Sequence, residues 1–363
     1  QRYLRGWKNA SEEFIKHKDS DISLVAREVN TTATIGLELI AAIHKGEKLS
    51  RDQKIKLRKQ LRKAQGIHNE MVVALAYPLG ELLDAERNYL SEDWTAEQSF
   101  TDGIEGPAVD RAGNLYAVNA QRQGTIGKVT GKNNVEVYAE LPEGSIGNAI
   151  RFNNSGDMLV ADYTGHNILL LTKNKQWQVL AHNSQMHQPN DIVVADNGTI
   201  YASDPNWADS SGQLWRIDPD GTTTLLEDNM GTTNGIELSP DGRTLYVNES
   251  VQRRIWQYRV ADDGSLHNKQ LFYAFTEHGM DGMSVDAKGN LYVARYGAGT
   301  IAIFSPAGEL LREVPLAGQF PTNLTFGGID GKRVFVTMQQ RGMIESFLTD
   351  NPGRDWVKQQ RGH

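Results

Sequence analysis

The chain has 363 residues, 39% of them hydrophobic and 35 of them glycine, enough for a large core interrupted by many turns. It contains no cysteine, which excludes disulfides, thiolate metal ligands and a cysteine nucleophile. Its net charge of −7 is uneven: residues 1–70 carry 15 Lys and Arg against 9 Asp and Glu, leaving 23 against 36 over the remainder. An acidic body argues against a nucleic-acid partner and suits cation binding.

Residues 1–95 read as a helical extension. Ser50-Arg-Asp-Gln53 has capping-box spacing. Leu57, Leu61, Ala64, Met71 and Leu75 then keep a helical apolar stripe, while Lys54, Lys56, Arg58, Lys59, Arg62 and Lys63 cover the other faces. Pro78 breaks the run. Such a segment fits a solvated face packed on a neighbour, a cover for the main domain, or self-association. Its apolar stretch Thr32–Ile43 falls short of the roughly 18 residues a membrane span needs. An opening Gln in place of Met fits removal of a leader peptide, so a periplasmic or secreted location is expected, with the cytoplasm as the alternative.

From about residue 96 the pattern changes to short alternating strands separated by Gly, Asn, Asp and Pro. Six units align on one turn glycine: "EGPAVDRAGNLYAVN" from Glu105, "NAIRFNNSGDMLVAD" from Asn148, "NDIVVADNGTIYASD" from Asn190, "NGIELSPDGRTLYVNE" from Asn234, "DGMSVDAKGNLYVAR" from Asp281 and "NLTFGGIDGKRVFVT" from Asn323. In each, the glycine (Gly113, Gly156, Gly198, Gly242, Gly289, Gly331) falls eight residues after the unit's first residue, and successive starts lie 43, 42, 44, 47 and 42 residues apart. A period of about 40–47 residues with four strands per unit marks a β-propeller. The chain is therefore expected to be all-β: a six-bladed β-propeller over 96–363 behind an N-terminal α-helical extension. Unit six runs out after the strand Met343–Leu348, so the segment around Glu97–Thr101 is expected to supply its fourth strand and close the ring.

The innermost strand of each blade lines the central channel, so equivalent positions form a ring. The six unit starts are Glu105, Asn148, Asn190, Asn234, Asp281 and Asn323, each a carboxylate or a carboxamide. Single Asn or Asp residues at strand starts commonly serve local turns. Six in register, one of them a Glu, form a ring of hard oxygen donors suited to a divalent cation such as Ca²⁺. Zn²⁺, which favours imidazole and thiolate, suits it less well. Asn148 and Asn323 also fit a purely structural role.

The stretches "EGPAVDRAGNLY", "QPNDIVVADNGTIYASDP", "TNGIELSPDGRTLYVNES", "DGMSVDAKGNLYVARYGAGTIAIFSPAGELL" and "PTNLTFGG" resemble the senescence marker protein (regucalcin)/gluconolactonase/luciferin-regenerating enzyme-like family over about residues 100–348. The resemblance implies a catalytic divalent metal held by Glu105, Asn190, Asn234 and Asp281. It further implies hydrolysis of a sugar lactone or related ester, with Asp281 as general base. Ca²⁺ is the expected cofactor, with Zn²⁺, Mg²⁺ or Mn²⁺ as substitutes, and a small-molecule lactone or ester the expected partner. Many relatives carry an Arg just upstream of the Asn-Asp pair. Here His187 and Gln188 stand there, which weakens a sugar-acid substrate more than it weakens hydrolysis. Candidate substrate contacts are Asn148, His166, Gln188, Trp207 and Tyr296, the last four in loops expected at the channel mouth.

Gly297–Ala302 matches a dinucleotide fingerprint but joins two strands and opens no helix, so that reading is set aside. Two other classes stay open. One is a metal-independent propeller enzyme resembling the strictosidine synthases; the other is a non-catalytic propeller whose metal only stabilises the ring.

Overall fold

A computed structural model describes residues 27, 30, 31, 33–35, 37, 38, 88–131 and 134–361. The chain divides into two compact units, Gln1–Asn88 and Tyr89–His363. In the first, the described residues between 27 and 38 are helical, and the hydroxyls of Thr31 and Thr34 donate to the carbonyls of Arg27 and Asn30 one turn back. The capping box at Ser50, the apolar stripe from Leu57 and the break at Pro78 lie outside the described residues. No helix among the described residues is long and apolar enough to cross a membrane.

The second unit is a six-bladed β-propeller. Six four-stranded antiparallel sheets follow one another, five of them simple meanders in chain order. Their innermost strands are Glu105–Val109, Gly147–Phe152, Ile192–Val194, Thr233–Leu238, Met283–Val285 and Pro321–Gly327. These are almost wholly buried, whereas the outermost strand of blade five, Leu310–Pro315, exposes all but Val314. The turn glycines of all six repeats adopt left-handed φ, between 68° and 88°. An L side chain is strained there, which is why the repeat keeps Gly at that position.

Packing is between blades. Each interface holds one apolar cluster: Ala149, Ile168, Ile192 and Trp215 between blades two and three, for example, or Tyr292, Leu324, Val336 and Phe347 between five and six. Ile126, Ile150 and Leu169 join blades one and two. Leu214, Ile236 and Val247 join three and four, Ile255, Met283 and Phe304 join four and five, and Phe100, Leu115, Phe335 and Ile344 join six and one. A blade therefore gains its burial only beside its neighbours, and the ring must close for the last interface to form.

Closure differs in place from the sequence expectation. The fourth strand of blade six is Glu92–Asp93, paired antiparallel with Met343–Leu348, rather than Glu97–Thr101. The chain still follows blade six beyond it: the N–H groups of Gln98 and Phe100 donate to the carbonyls of Arg341 and Gly342. Arg341 ties the join, bonding Asp93, Glu97 and the fully buried Glu345 at once. Two-residue strands carry no alternation to read, so only the pairing locates this one. A C-terminal helix, Arg354–Arg361, was also not expected.

Candidate functional site

The six unit starts converge at one end of the channel, and the backbone shows how. Inner strands run away from this end. In blades one, two, four and six the pairing with the second strand slips at the ring residue: between Glu105 and Ala108, Gly147 and Ala149, Thr233 and Ile236, and Pro321 and Leu324. Such bulges re-aim a side chain out of the sheet plane. In blades three and five, Asn190 and Asp281 simply precede short inner strands. Glycines complete the arrangement. A Cβ at Gly106 would lie 2.5 Å from the Asn148 carbonyl, and one at Gly282 would lie 2.5 Å from Asn323 Nδ2. Their absence lets the next blade's ring residue enter the channel.

Three carboxylates meet there. Glu105 is 8% exposed, Asp191 fully buried and Asp281 partly exposed. Glu105 Oε2 accepts the Gly106 N–H at 2.5 Å. Burial raises the Glu105 carboxyl, and the Asp191 charge adds to the rise, while Asn323 and Asp281 lie in hydrogen-bonding reach. Asp281 is raised well above the ordinary carboxylate range by burial and then by the charges of Glu105 and Asp191; the Asn234 side chain opposes the rise. Asp191 is also raised, chiefly by burial, and Arg151 opposes it.

The carboxamides are not interchangeable. Asn234 is 2% exposed, and its Oδ1 has no hydrogen-bond partner. A buried oxygen left bare next to Asp281, whose carboxyl the Glu105 and Asp191 charges already push up, is an unmet demand for positive charge. Asn148 Nδ2 instead donates to the Asn190 backbone carbonyl at 3.3 Å, and Asn323 Nδ2 to Asp191 Oδ2 at 3.5 Å. Both hold the ring together. Among the described residues no three His, Cys, Asp or Glu are arranged so that all could ligate one metal ion, Asp191 being turned to Arg151. A cation here would rest on two carboxylates and carboxamide oxygens, a hard-donor set matching Ca²⁺ better than Zn²⁺.

The mouth loops lie at this same end, because second strands run antiparallel to the inner ones. Tyr296 follows the second strand of blade five; the Asp281 charge raises its phenol after burial, and its hydroxyl donates to Gln339 Oε1 at 2.5 Å. Asp204, fully buried, accepts the N–H groups of His187 at 2.9 Å and Gln188 at 2.5 Å, which fixes the approach to Asn190. Trp207 is 45% exposed in the loop after Ile200–Asp204. His166 stands at φ 57° with its Nδ1 buried and unpartnered. Neither His166 nor Trp207 hydrogen-bonds a ring side chain, so proximity to the channel end is all that the fold gives them.

Sequence reading passed over Asp191, Arg151 and Asn248. Arg151 Nη2 pairs with Asp191 Oδ1 at 3.1 Å, and Asn248 Nδ2 donates to the Asp281 carbonyl at 2.6 Å. A signal was present. Asp191 is the second residue of unit three, and Arg151 is a charge at the fourth position of unit two, within a largely buried strand.

The family profile described as the SMP-30/Gluconolactonase/LRE-like region matches residues 104–340, well over half the chain. The chain belongs to this family. Among relatives of the family, a gluconolactonase from Zymomonas mobilis is 27% identical over 270 residues, covering 64% of this chain and 75% of that protein. A pentonolactonase from Haloferax volcanii is 28% identical over 151 residues, 41% of this chain and 52% of its own length. The propeller also superposes on a calcium-binding regucalcin from Agrobacterium tumefaciens with a TM-score of 0.63, at 20% identity over 72% of this chain and 95% of that one. A Xanthomonas campestris gluconolactonase gives 0.60 at 22% identity, covering 72% and 88%. At such identities the superpositions establish the SMP-30-like propeller fold alone.

Proposed function

We propose that this member of the SMP-30 family is a divalent-cation-dependent hydrolase that opens a lactone ring at the channel mouth. The observation that carries the proposal is that Asp281 lies in hydrogen-bonding reach of both Glu105 and Asn234, and that the buried Oδ1 of Asn234 is bare. The names of its gluconolactonase and pentonolactonase relatives support the reaction class. Glu105, Asn234 and Asp281 would hold the cation, with Asn190 as the fourth member of the set. Bound there, Ca²⁺ or a similar ion would supply Lewis-acid polarisation of the lactone carbonyl.

The protein's own groups supply the remaining chemistry. Asp281 takes a proton from the water attacking the carbonyl carbon, the only set member besides Glu105 able to do so. Cleavage of the ring C–O bond releases an alkoxide, which takes that proton back; the product is a hydroxy acid. Glu105, held by Gly106 and Asn323, is fixed in place as a ligand rather than free to shuttle protons. His187 and Gln188 present no fixed positive charge at the mouth, so a neutral lactone or ester suits the site better than an anionic one.

The test is a lactone panel assayed with Ca²⁺, with a chelator, and with Asp281→Asn. Calcium-dependent hydrolysis that the variant loses supports the proposal. Hydrolysis surviving both treatments refutes it, and a chelator that lowers only the melting temperature points to a structural ion.

A further inference from the structure

The far end of the channel is crossed by the C-terminal helix. Its approach is pinned to blades five and six: Asp286 bridges Gly353, the Ala287 N–H donates to the Pro352 carbonyl, and the Gly353 N–H donates to the Gly331 carbonyl. Gln359 Nε2 then donates to the carbonyl of Val109, and Arg354 and Lys358 to that of Val194. Val109 and Val194 end the inner strands of blades one and three, so the helix crosses the end opposite the ring.

Arg354 reaches inward from this helix and is 5% exposed. Its Nη1 stands 3.7 Å from Glu237 Oε1 on the inner strand of blade four, a side chain 3% exposed. Glu237 also attracts Arg151 from blade two, and Arg151 pairs with Asp191. Asp191 Oδ2 accepts from Asn323, which in turn reaches Glu105. Four buried charges of alternating sign therefore connect the helix to the ring: Arg354, Glu237, Arg151 and Asp191. Asp355, partly exposed, also pairs with Arg354 at 2.7 Å.

We propose that Arg354 is a positioning residue for the cation site at the opposite mouth, a proposal that rests on reading the ring as that site. Glu237 has two guanidiniums within its field. With Arg354 present, Arg151 stays committed to Asp191. Without Arg354, the buried Glu237 carboxylate has only Arg151 to neutralise it and draws it down the channel. Asp191 then takes the Asn323 carboxamide fully, and Glu105 keeps the Gly106 N–H but loses the side-chain donor that helps orient it. Outer groups that orient metal ligands typically govern affinity by 10–100-fold, and a residue acting through this chain belongs at the lower end.

Calcium affinity of the full chain is measured by calorimetry with CaCl₂ alone, beside the melting temperature. Arg354→Met is expected to weaken calcium binding about tenfold. Arg354→Lys keeps the charge and is expected to bind within about threefold of the parent. Adding Glu237→Gln to Arg354→Met removes the pull on Arg151 and is expected to restore affinity even where the melting temperature stays low. A helix that merely plugs the channel would show no such rescue. Should Arg354→Met fail to fold, Arg354→Gln replaces it with the same expectations. Parent and variant binding calcium alike would overturn this proposal alone, as would a loss that Glu237→Gln leaves unrepaired. A parent chain that binds no calcium would overturn the metal reading first and this proposal with it.

Discussion

Replacing Gly282 by Ala would strike the site through geometry alone. Gly282 does not sit in the left-handed region, so an alanine there carries no backbone strain. Its Cβ, however, would lie 2.5 Å from Asn323 Nδ2 and closer still to the rest of that carboxamide. Ordinary contact needs about 3.5 Å, so Asn323 must retreat by more than about 1 Å. The strand cannot retreat instead, because the Gly282 N–H donates to the Thr322 carbonyl at 2.7 Å and its carbonyl accepts the Ala294 N–H at 3.0 Å. Overpacking of this kind costs about 2 kcal/mol. For a unit of this size that is roughly 4–8 °C in melting temperature. The carboxamide that moves is the one bridging Asp191 and Glu105, and misplacement by about 1 Å can lower turnover on the order of a hundredfold. Differential scanning calorimetry and lactone hydrolysis at saturating Ca²⁺ would check both. Adding Asn323→Ala should recover stability without recovering turnover. If Gly282→Ala alone retains hydrolysis within about threefold of the parent, Asn323 does not position the site and the reasoning fails.

Asp281→Asn should lower turnover by roughly 10²–10⁴, the usual range for a lost general base, while its melting temperature in calcium-free buffer rises because the repulsion with Glu105 is gone. A fall in that temperature would show that Asp281 is not under strain. Asn234→Ala removes the bare Oδ1 and should weaken calcium binding about tenfold by calorimetry; unchanged affinity would remove Asn234 from the ligand set. Arg341→Met leaves the fully buried Glu345 with uncharged partners alone, the Ser91 hydroxyl and the Ala317 and Gly318 N–H groups. Losing this partly exposed pair should destabilise the propeller by about 2 kcal/mol, visible as a lower urea midpoint with calcium affinity unaltered. A midpoint equal to the parent's would place closure elsewhere.

Local chemistry repeated at a fixed period is legible without a structure. The turn glycine eight residues after each unit start had to be left-handed in every blade, so its spacing announced six blades and aligned their first residues. That alignment alone brought Glu105, Asn190, Asn234 and Asp281 to one end of a channel, since identical units around an axis put identical positions on a ring. What the sequence could not state is which pairs meet across that axis. The closing strand Glu92–Asp93 is too short for any alternation and is defined only by a partner some 250 residues away. The Arg354–Arg361 helix is a single polar stretch whose burial depends on a channel end assembled from five blades. Arg151, Glu237 and Asp191 look like three unrelated charges in three repeats. Only the closed ring makes them one buried row, because in a low-dielectric channel each must find its opposite on another blade.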